Sequence, residues 1–205
     1  MTKKIFSIVM AMFAVVAFAD NDAILSKIKT ANTSYKTIES SFKEVKQLKA
    51  NGKSTEKSGT IYFSASDKMA MHYKNDGEKF IINGTSVYVK RDGETKRYNT
   101  TKTKRVRNLV STLLCSVQGK IEELCETVSA TNTCVEKGDS YIVTINATKK
   151  SAKGYTKIEL TYSKKDCVLC KMVTTENTGD VTTYTMSATK KNIAIADSQF
   201  AIPKK

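Results

Sequence analysis

The chain has 205 residues, 40% of them hydrophobic and 26% charged, enough to bury one core without staples. Its 34 basic residues outnumber 20 acidic ones for a formal charge of +14, so nucleic acid, an anionic surface or an acidic partner are the candidates that charge raises. A single histidine leaves little room for imidazole catalysis or for a metal centre, since a zinc site takes about four ligands.

Lys3 and Lys4 precede an uncharged apolar run from Ile5 to Phe18, and Ala17-Phe18-Ala19 stands before Asp20. This is the pattern of a secretion signal cleaved after Ala19, dividing the chain into a signal at 1–19 and one domain at 20–205. The run of 14 residues is short of the roughly 20 that a membrane-spanning helix needs, so a soluble exported product is expected. The residue directly after the cleavage site is Asp20 and not a cysteine, so no lipid anchor is expected. Cleavage would leave 186 residues with 32 basic and 20 acidic side chains, a charge of about +12. Lysines occur in every segment, and an exported chain rarely meets nucleic acid, so no nucleic-acid partner is expected.

In chain order, Ile24, Leu25, Ile28, Ala31 and Tyr35 form an apolar stripe at helical spacing and predict a helix over 23–35. From Ile38 the pattern turns to alternation: Ile38 with Phe42, Ile61 with Phe63, then Met69, Met71 and Tyr73, Phe80 to Ile82, and Val87 with Val89. Asn51-Gly52, Asp76-Gly77, Asn83-Gly84 and Asp92-Gly93 are hairpin signals between these strands. A helical pattern interrupts at Val106 to Cys125, carried by Leu109, Val110, Leu113, Leu114 and Val117, broken at Gly119 and resumed at Ile121 and Leu124. Its approach is basic, with Lys102, Lys104, Arg105 and Arg107. Alternation returns at 141–145, 158–162, 168–173 and 181–186, with a lysine-rich loop at 149–153 and a final Phe200-Ala201-Ile202-Pro203. The expected class is α+β: a highly curved antiparallel sheet whose concave face is covered by the two helical pieces.

No catalytic residue or cofactor site emerges. There is no Gly-x-Ser-x-Gly elbow and no phosphate-binding glycine loop, and His72 falls opposite Met69 and Met71 in its strand, towards solvent. Cys167 and Cys170 have redox-motif spacing, but in an extended strand residues three apart sit about 10 Å apart on opposite faces, so no disulfide between them is expected. The inward parity gathers Ile61, Phe63, Met69, Met71, Val87 and Val89, faced by Leu109, Leu113, Leu114 and Val117 of the insert. Flexible methionines suit a surface that adapts to varied apolar ligands, though the same pattern also describes an ordinary core.

Taken in order, these segments resemble the LolA-type periplasmic lipoprotein carriers along the mature chain. Ile38-Glu39-Ser40-Ser41-Phe42 is similar to the start of that family's first strand, and Ser58-Gly59-Thr60-Ile61-Tyr62-Phe63 to its glycine-led second strand. Ile81 to Val89 is similar to its hairpin, and the basic approach, the insert and Phe200 to Pro203 fall where the family has them. The resemblance implies an unclosed, strongly curved antiparallel β-barrel with an N-terminal helix and a helical lid insert. It implies a lipid-binding cavity at Ile61, Phe63, Met69, Met71, Val87 and Val89, under a lid at Leu109, Leu113, Leu114 and Val117. It implies a monomeric periplasmic carrier without metal or cofactor. Its partners would be outer-membrane-directed lipoproteins bound by their acyl chains, an inner-membrane release complex and an outer-membrane acceptor. A related exported lipid-binding or envelope-stress-sensing protein is the alternative on the same scaffold. The chain departs from the family at Ala65-Ser66, where the family has Arg-Pro, and at Met71, where it has tryptophan. The family's lid latch on that arginine thus has no counterpart here, which implies a lid that opens more readily or a different amphiphile as cargo.

Overall fold

Wherever apolar side chains repeat every second residue, the chain extends, because that period places them all on one face of a pleated strand. The structure, a computed structural model, describes residues 21–65, 67–75, 77–148 and 154–204. The signal reading of 1–19, Ser66, Asp76 and the loop at 149–153 lie outside the described residues. A helix covers 21–34 (α1). It leads into β1 (Thr37–Gln47), β2 (Ser54–Ser64), β3 (Lys68–Tyr73), β4 (Lys79–Asn83), β5 (Ser86–Arg91) and β6 (Glu94–Asn99). Two helices follow, α2 (Lys104–Gln118) and α3 (Ile121–Val128). The chain then returns through β7 (Ala130–Lys137), β8 (Ser140–Ala147), β9 (Tyr155–Ser163), β10 (Leu169–Glu176) and β11 (Val181–Lys191).

Among the described residues the strands form one antiparallel sheet of 11, in the order β6-β5-β4-β3-β2-β1-β11-β10-β9-β8-β7. Two meanders therefore meet at a β1–β11 seam, where Phe42 pairs with Met186 and Glu44 with Tyr184. The outer edges β6 and β7 do not pair, and the chain between them is the helical insert; α2 touches β6 and α3 touches β7. The barrel is thus unclosed, with the insert across the opening. β6 and β7 are the two strands that alternation does not announce: most of their side chains are exposed or only partly buried.

Gly119 separates α2 from α3 in a left-handed conformation, φ +67, and a Cβ there would meet Ile28 Cγ2 at 2.8 Å and the Ile28 carbonyl oxygen at 2.9 Å. That close approach locks α1 onto the elbow of the insert. Ile28 and Leu124 are completely buried beside it, and each such side chain contributes about 1.5–3 kcal/mol. Tyr162 fixes the same end of α2 by donating its buried hydroxyl to the Ser116 carbonyl at 2.7 Å.

The convex side of β3–β5 has its own cover. Ala70, Ile81 and Tyr88 pack with Phe200, flanked by Ile195 and Ile202 of the C-terminal tail. His72 lies on this face, and it is not turned to solvent as its strand parity suggested: the tail covers it, and its Nε2 lies 3.0 Å from the Gln199 carbonyl. Asn83 donates to the Phe200 carbonyl at 3.2 Å and Arg97 to the Pro203 carbonyl at 2.8 Å. The extended-strand reading of Cys167 is also corrected, since that residue has φ +55 and sits in the turn before β10. All five cysteines are free thiols.

Candidate functional site

The concave face changes character along its strands. On β1 the inward positions are Ile38, Ser40, Phe42, Glu44 and Lys46, and the neighbouring strands keep step: Ile38 faces Phe63, Ser40 faces Ile61, Phe42 faces Gly59 and Glu44 faces Lys57. The same rows continue as Phe63–Met69–Ile82–Val87 and Ile61–Met71–Phe80–Val89. One end of the interior is therefore apolar, and the other carries charge.

At the apolar end lies a small cavity of about 40 Å³ bounded by Ile61, Phe63, Met69, Met71, Leu113 and Val117 among others. Phe63 and Met69 are buried there. Towards the opposite end a cavity of about 680 Å³ runs between the sheet and α2, lined by Met71, Phe80, Val87, Val89 and Leu109 on its apolar side. Met71, Leu113, Met172 and Tyr184 border both spaces, and the unbranched methionines make that partition adaptable. Of the residues singled out by sequence, Leu114 lines neither cavity; it packs against the core behind the lid.

Sequence reasoning missed the polar half. Glu44 is 3% exposed, accepting a hydrogen bond from Tyr73 Oη at 2.5 Å and one from Arg91 Nη2 at 2.7 Å. Phe42 of β1 and Tyr73 of β3 can meet because β2 places Gly59 between them: a Cβ at Gly59 would fall 2.1 Å from the His72 carbonyl oxygen and 2.9 Å from the Phe42 ring. Across that gap the Phe42 and Tyr73 rings pack edge to face, 5.1 Å between centroids. Next to the trio, Glu78 accepts hydrogen bonds from Lys57 at 2.8 and 2.7 Å and from the Asp92 amide at 3.1 Å. Lys46 lies 3.8 Å from Glu176.

Burial first, then Tyr184 and the Glu44 carboxylate, push the Tyr73 phenol far above its ordinary range. For Arg91, burial acts downward most strongly of any single cause, but the hydrogen bond to Glu44 and the Glu44 charge together outweigh it and raise the guanidinium further. Burial, then Glu176, pushes Tyr155 up to about 12. These phenols stay neutral donors and the guanidinium stays charged, so the trio offers fixed hydrogen-bonding partners to the cavity. Among the described residues no group of three or more His, Cys, Asp or Glu is arranged to hold a metal ion, and no helix is long and apolar enough to cross a membrane.

A family model described as outer membrane lipoprotein carrier protein LolA matches residues 33–203. No curated protein matches the chain in sequence. Among solved structures, an uncharacterized conserved protein from Thermus thermophilus is similar in fold, with a TM-score of 0.52 at 10% identity over 89% of this chain and 94% of that one. A LolA superfamily protein from Nitrosomonas europaea gives a TM-score of 0.44 at 12% identity over 89% of this chain and 97% of that one. The complex structure of Pseudomonas aeruginosa MucA/MucB gives 0.47 at 10% identity over 87% of this chain and 59% of that one.

Proposed function

We propose, from the premise that the chain belongs to the LolA family of outer-membrane lipoprotein carrier proteins, that it is a periplasmic, non-catalytic carrier. It shields lipoprotein acyl chains and moves them from the inner to the outer membrane. The observation that carries this reading is the cavity of about 680 Å³ between the concave face and α2, whose apolar side is Met71, Phe80, Val87, Val89 and Leu109. An acyl chain crossing water needs such a host, because each methylene kept from water is worth about 0.8 kcal/mol. Movement of Met71 and Met172 would join the small cavity at Phe63 and Met69 to the large one and lengthen the path for a chain.

The lid moves from its free end. Its far end is held by Tyr162 and by the Ile28–Gly119 contact, while Thr103, Arg105 and Val106 of the near end line the cavity. Such a lid needs no arginine at Ala65. Cargo arrives from an inner-membrane release complex and leaves to an outer-membrane acceptor, the carrier acting as a monomer. The Glu44–Tyr73–Arg91 trio supports a second reading, a related exported lipid-binding or envelope-stress-sensing protein, because it offers fixed partners to a larger polar headgroup.

Mass spectrometry of protein isolated from its native envelope separates the two. Copurifying acylated peptides are expected for the carrier, and free lipid alone would favour the second reading. Empty protein that also takes up no apolar fluorescent probe would overturn both.

A further inference from the structure

The positive charge of this protein is concentrated. Residues 95–121 contain seven Lys and Arg and no Asp or Glu, half of the formal +14 in a short stretch that runs from the open edge β6 through the lid helix α2. Three of the seven are engaged: Lys96 with Glu94, Arg97 with the tail carbonyls of Pro203 and Lys204, and Lys120 with Glu123. The remaining four, Lys102, Lys104, Arg105 and Arg107, are exposed. None of them has an ion pair among the described residues, and Arg107 is tethered only through Nε to the Thr100 carbonyl at 3.1 Å.

This is a poor place for cations as far as the fold is concerned. The start of a helix carries partial positive charge, and α2 has no acidic residue in its first turn and no side-chain cap. The adjacent α3 follows the favourable rule, with Glu122 and Glu123 in its first turn. The four charges therefore weaken the helix locally, and their position is what they offer. Thr103, Arg105 and Val106 line the large cavity, as does Tyr98 of β6. Tyr98 is 38% exposed, an aromatic ring with a polar tip at the rim, the kind of side chain that sits well at a lipid–water interface.

We propose that this face docks on an anionic bilayer, with Lys102, Lys104, Arg105 and Arg107 against the headgroups and Tyr98 at the interface, so that the cavity mouth opens onto the lipid. The proposal rests on the carrier reading for the meaning of the mouth, and on charge complementarity for the docking. A membrane fits better than an acidic protein because the charges lie in the segment whose Thr103, Arg105 and Val106 line a cavity with an apolar wall, and a bilayer is where acyl chains leave and arrive.

The test uses protein recovered from an exporting host and vesicles of phosphatidylglycerol with phosphatidylcholine, read by cosedimentation, beside uptake of an apolar fluorescent probe. Each basic residue near an anionic surface strengthens partitioning about fivefold, so replacing Lys102, Lys104 and Arg107, which do not line the cavity, by Gln should weaken vesicle binding by about a hundredfold. Half-molar salt should act in the same direction, and probe uptake should be unchanged. Equal binding to pure phosphatidylcholine vesicles, or undiminished binding of the triple variant, would overturn the docking. So would binding to polyglutamate beads as tight as to the anionic vesicles, which would assign the block to an acidic protein. Failure of the parent protein to take up the probe would instead overturn the carrier reading.

Discussion

The two ends of the barrel interior are built on the same strands with the same parity, yet one is a packed apolar end and the other a roomy, charged one. Phe63, Met69 and Val117 leave about 40 Å³ at the first, whereas Glu44, Tyr73 and Arg91 border about 680 Å³ at the second. Strand periodicity determines which face a residue occupies. Whether that face becomes core or cavity depends on what stands across from it, and the difference lies in α2: its C-terminal half is pinned against α1 and Tyr162, and its N-terminal half is not. Packing contributes stability at one end, and at the other a hydrogen-bonded charge network keeps the strands in place around open space.

The harshest way to break this division is at its boundary. Gly59→Ala puts a methyl 2.1 Å from the His72 carbonyl oxygen, which the paired β2 and β3 cannot relieve without losing their ladder. The expected result is little or no folded protein by circular dichroism, a loss comparable with the whole stability of roughly 5–15 kcal/mol typical of a domain. Second comes a paired comparison. Phe63→Lys removes a ring worth about 3–5 kcal/mol and places an unpaired ammonium among apolar side chains beside a cavity of only about 40 Å³, and should unfold the protein. Val89→Lys, on the wall of the large cavity, can extend its amine into the open space; it should fold with normal circular dichroism and lose the apolar probe. If both variants fold equally well, the two ends are not different in kind.

A smaller effect is expected at Glu44. Glu44→Leu strands the Tyr73 hydroxyl and Arg91, and because the Arg91 side chain is 41% exposed and can turn to water, the cost should be near the lower figure for a broken pair, about 2–3 kcal/mol in urea unfolding. The mildest test is acid. Burial would raise the Glu78 carboxyl, but hydrogen bonds from Lys57 and the Asp92 amide overcome it and hold it below its ordinary 4.5. A carboxyl depressed in the folded state contributes stability that is present above its ordinary value of 4.5 and lost as pH falls below it. Glu78→Gln should therefore flatten the acid limb of a stability–pH profile, with little change in its slope above about pH 5.

Much of the meander was legible, because Ile61, Phe63, Met69, Met71, Val87 and Val89 repeat at the period of a strand half buried on one side, and α2 and α3 were legible from their helical stripe and Gly119. The edge strands were not: in Glu94–Asn99 only Tyr98 is apolar, and on a strand with one neighbour nothing requires more. Glu44 and Arg91 were missed because a charge at an inward position reads as surface, although Glu44 continues the even-numbered series of Ile38, Ser40 and Phe42. His72 was misplaced for a different reason. Its parity was read correctly, but the cover on that face comes from Phe200 and its neighbours, far away in the chain, and no local pattern announces a tail that folds back. The basic block at 102–107 was visible, yet its weight emerges only once Lys96, Arg97 and Lys120 are seen to be engaged and these four are not.

The β1–β11 seam sets the order in which the molecule can finish folding. Ile38 pairs with Lys191 and Gln47 with Val181, so the second strand-neighbour of β1 is the last strand of the chain. Until residue 181 and beyond are available, the first meander carries a raw edge along the whole length of β1, and the second meander has nothing to dock on. Closure of so long a loop makes the seam a late and slow event. A chain emerging from a ribosome thus stays open and pairing-competent until residues 181–191 are free, when β11 joins the two meanders and the tail with Phe200 seals the convex face.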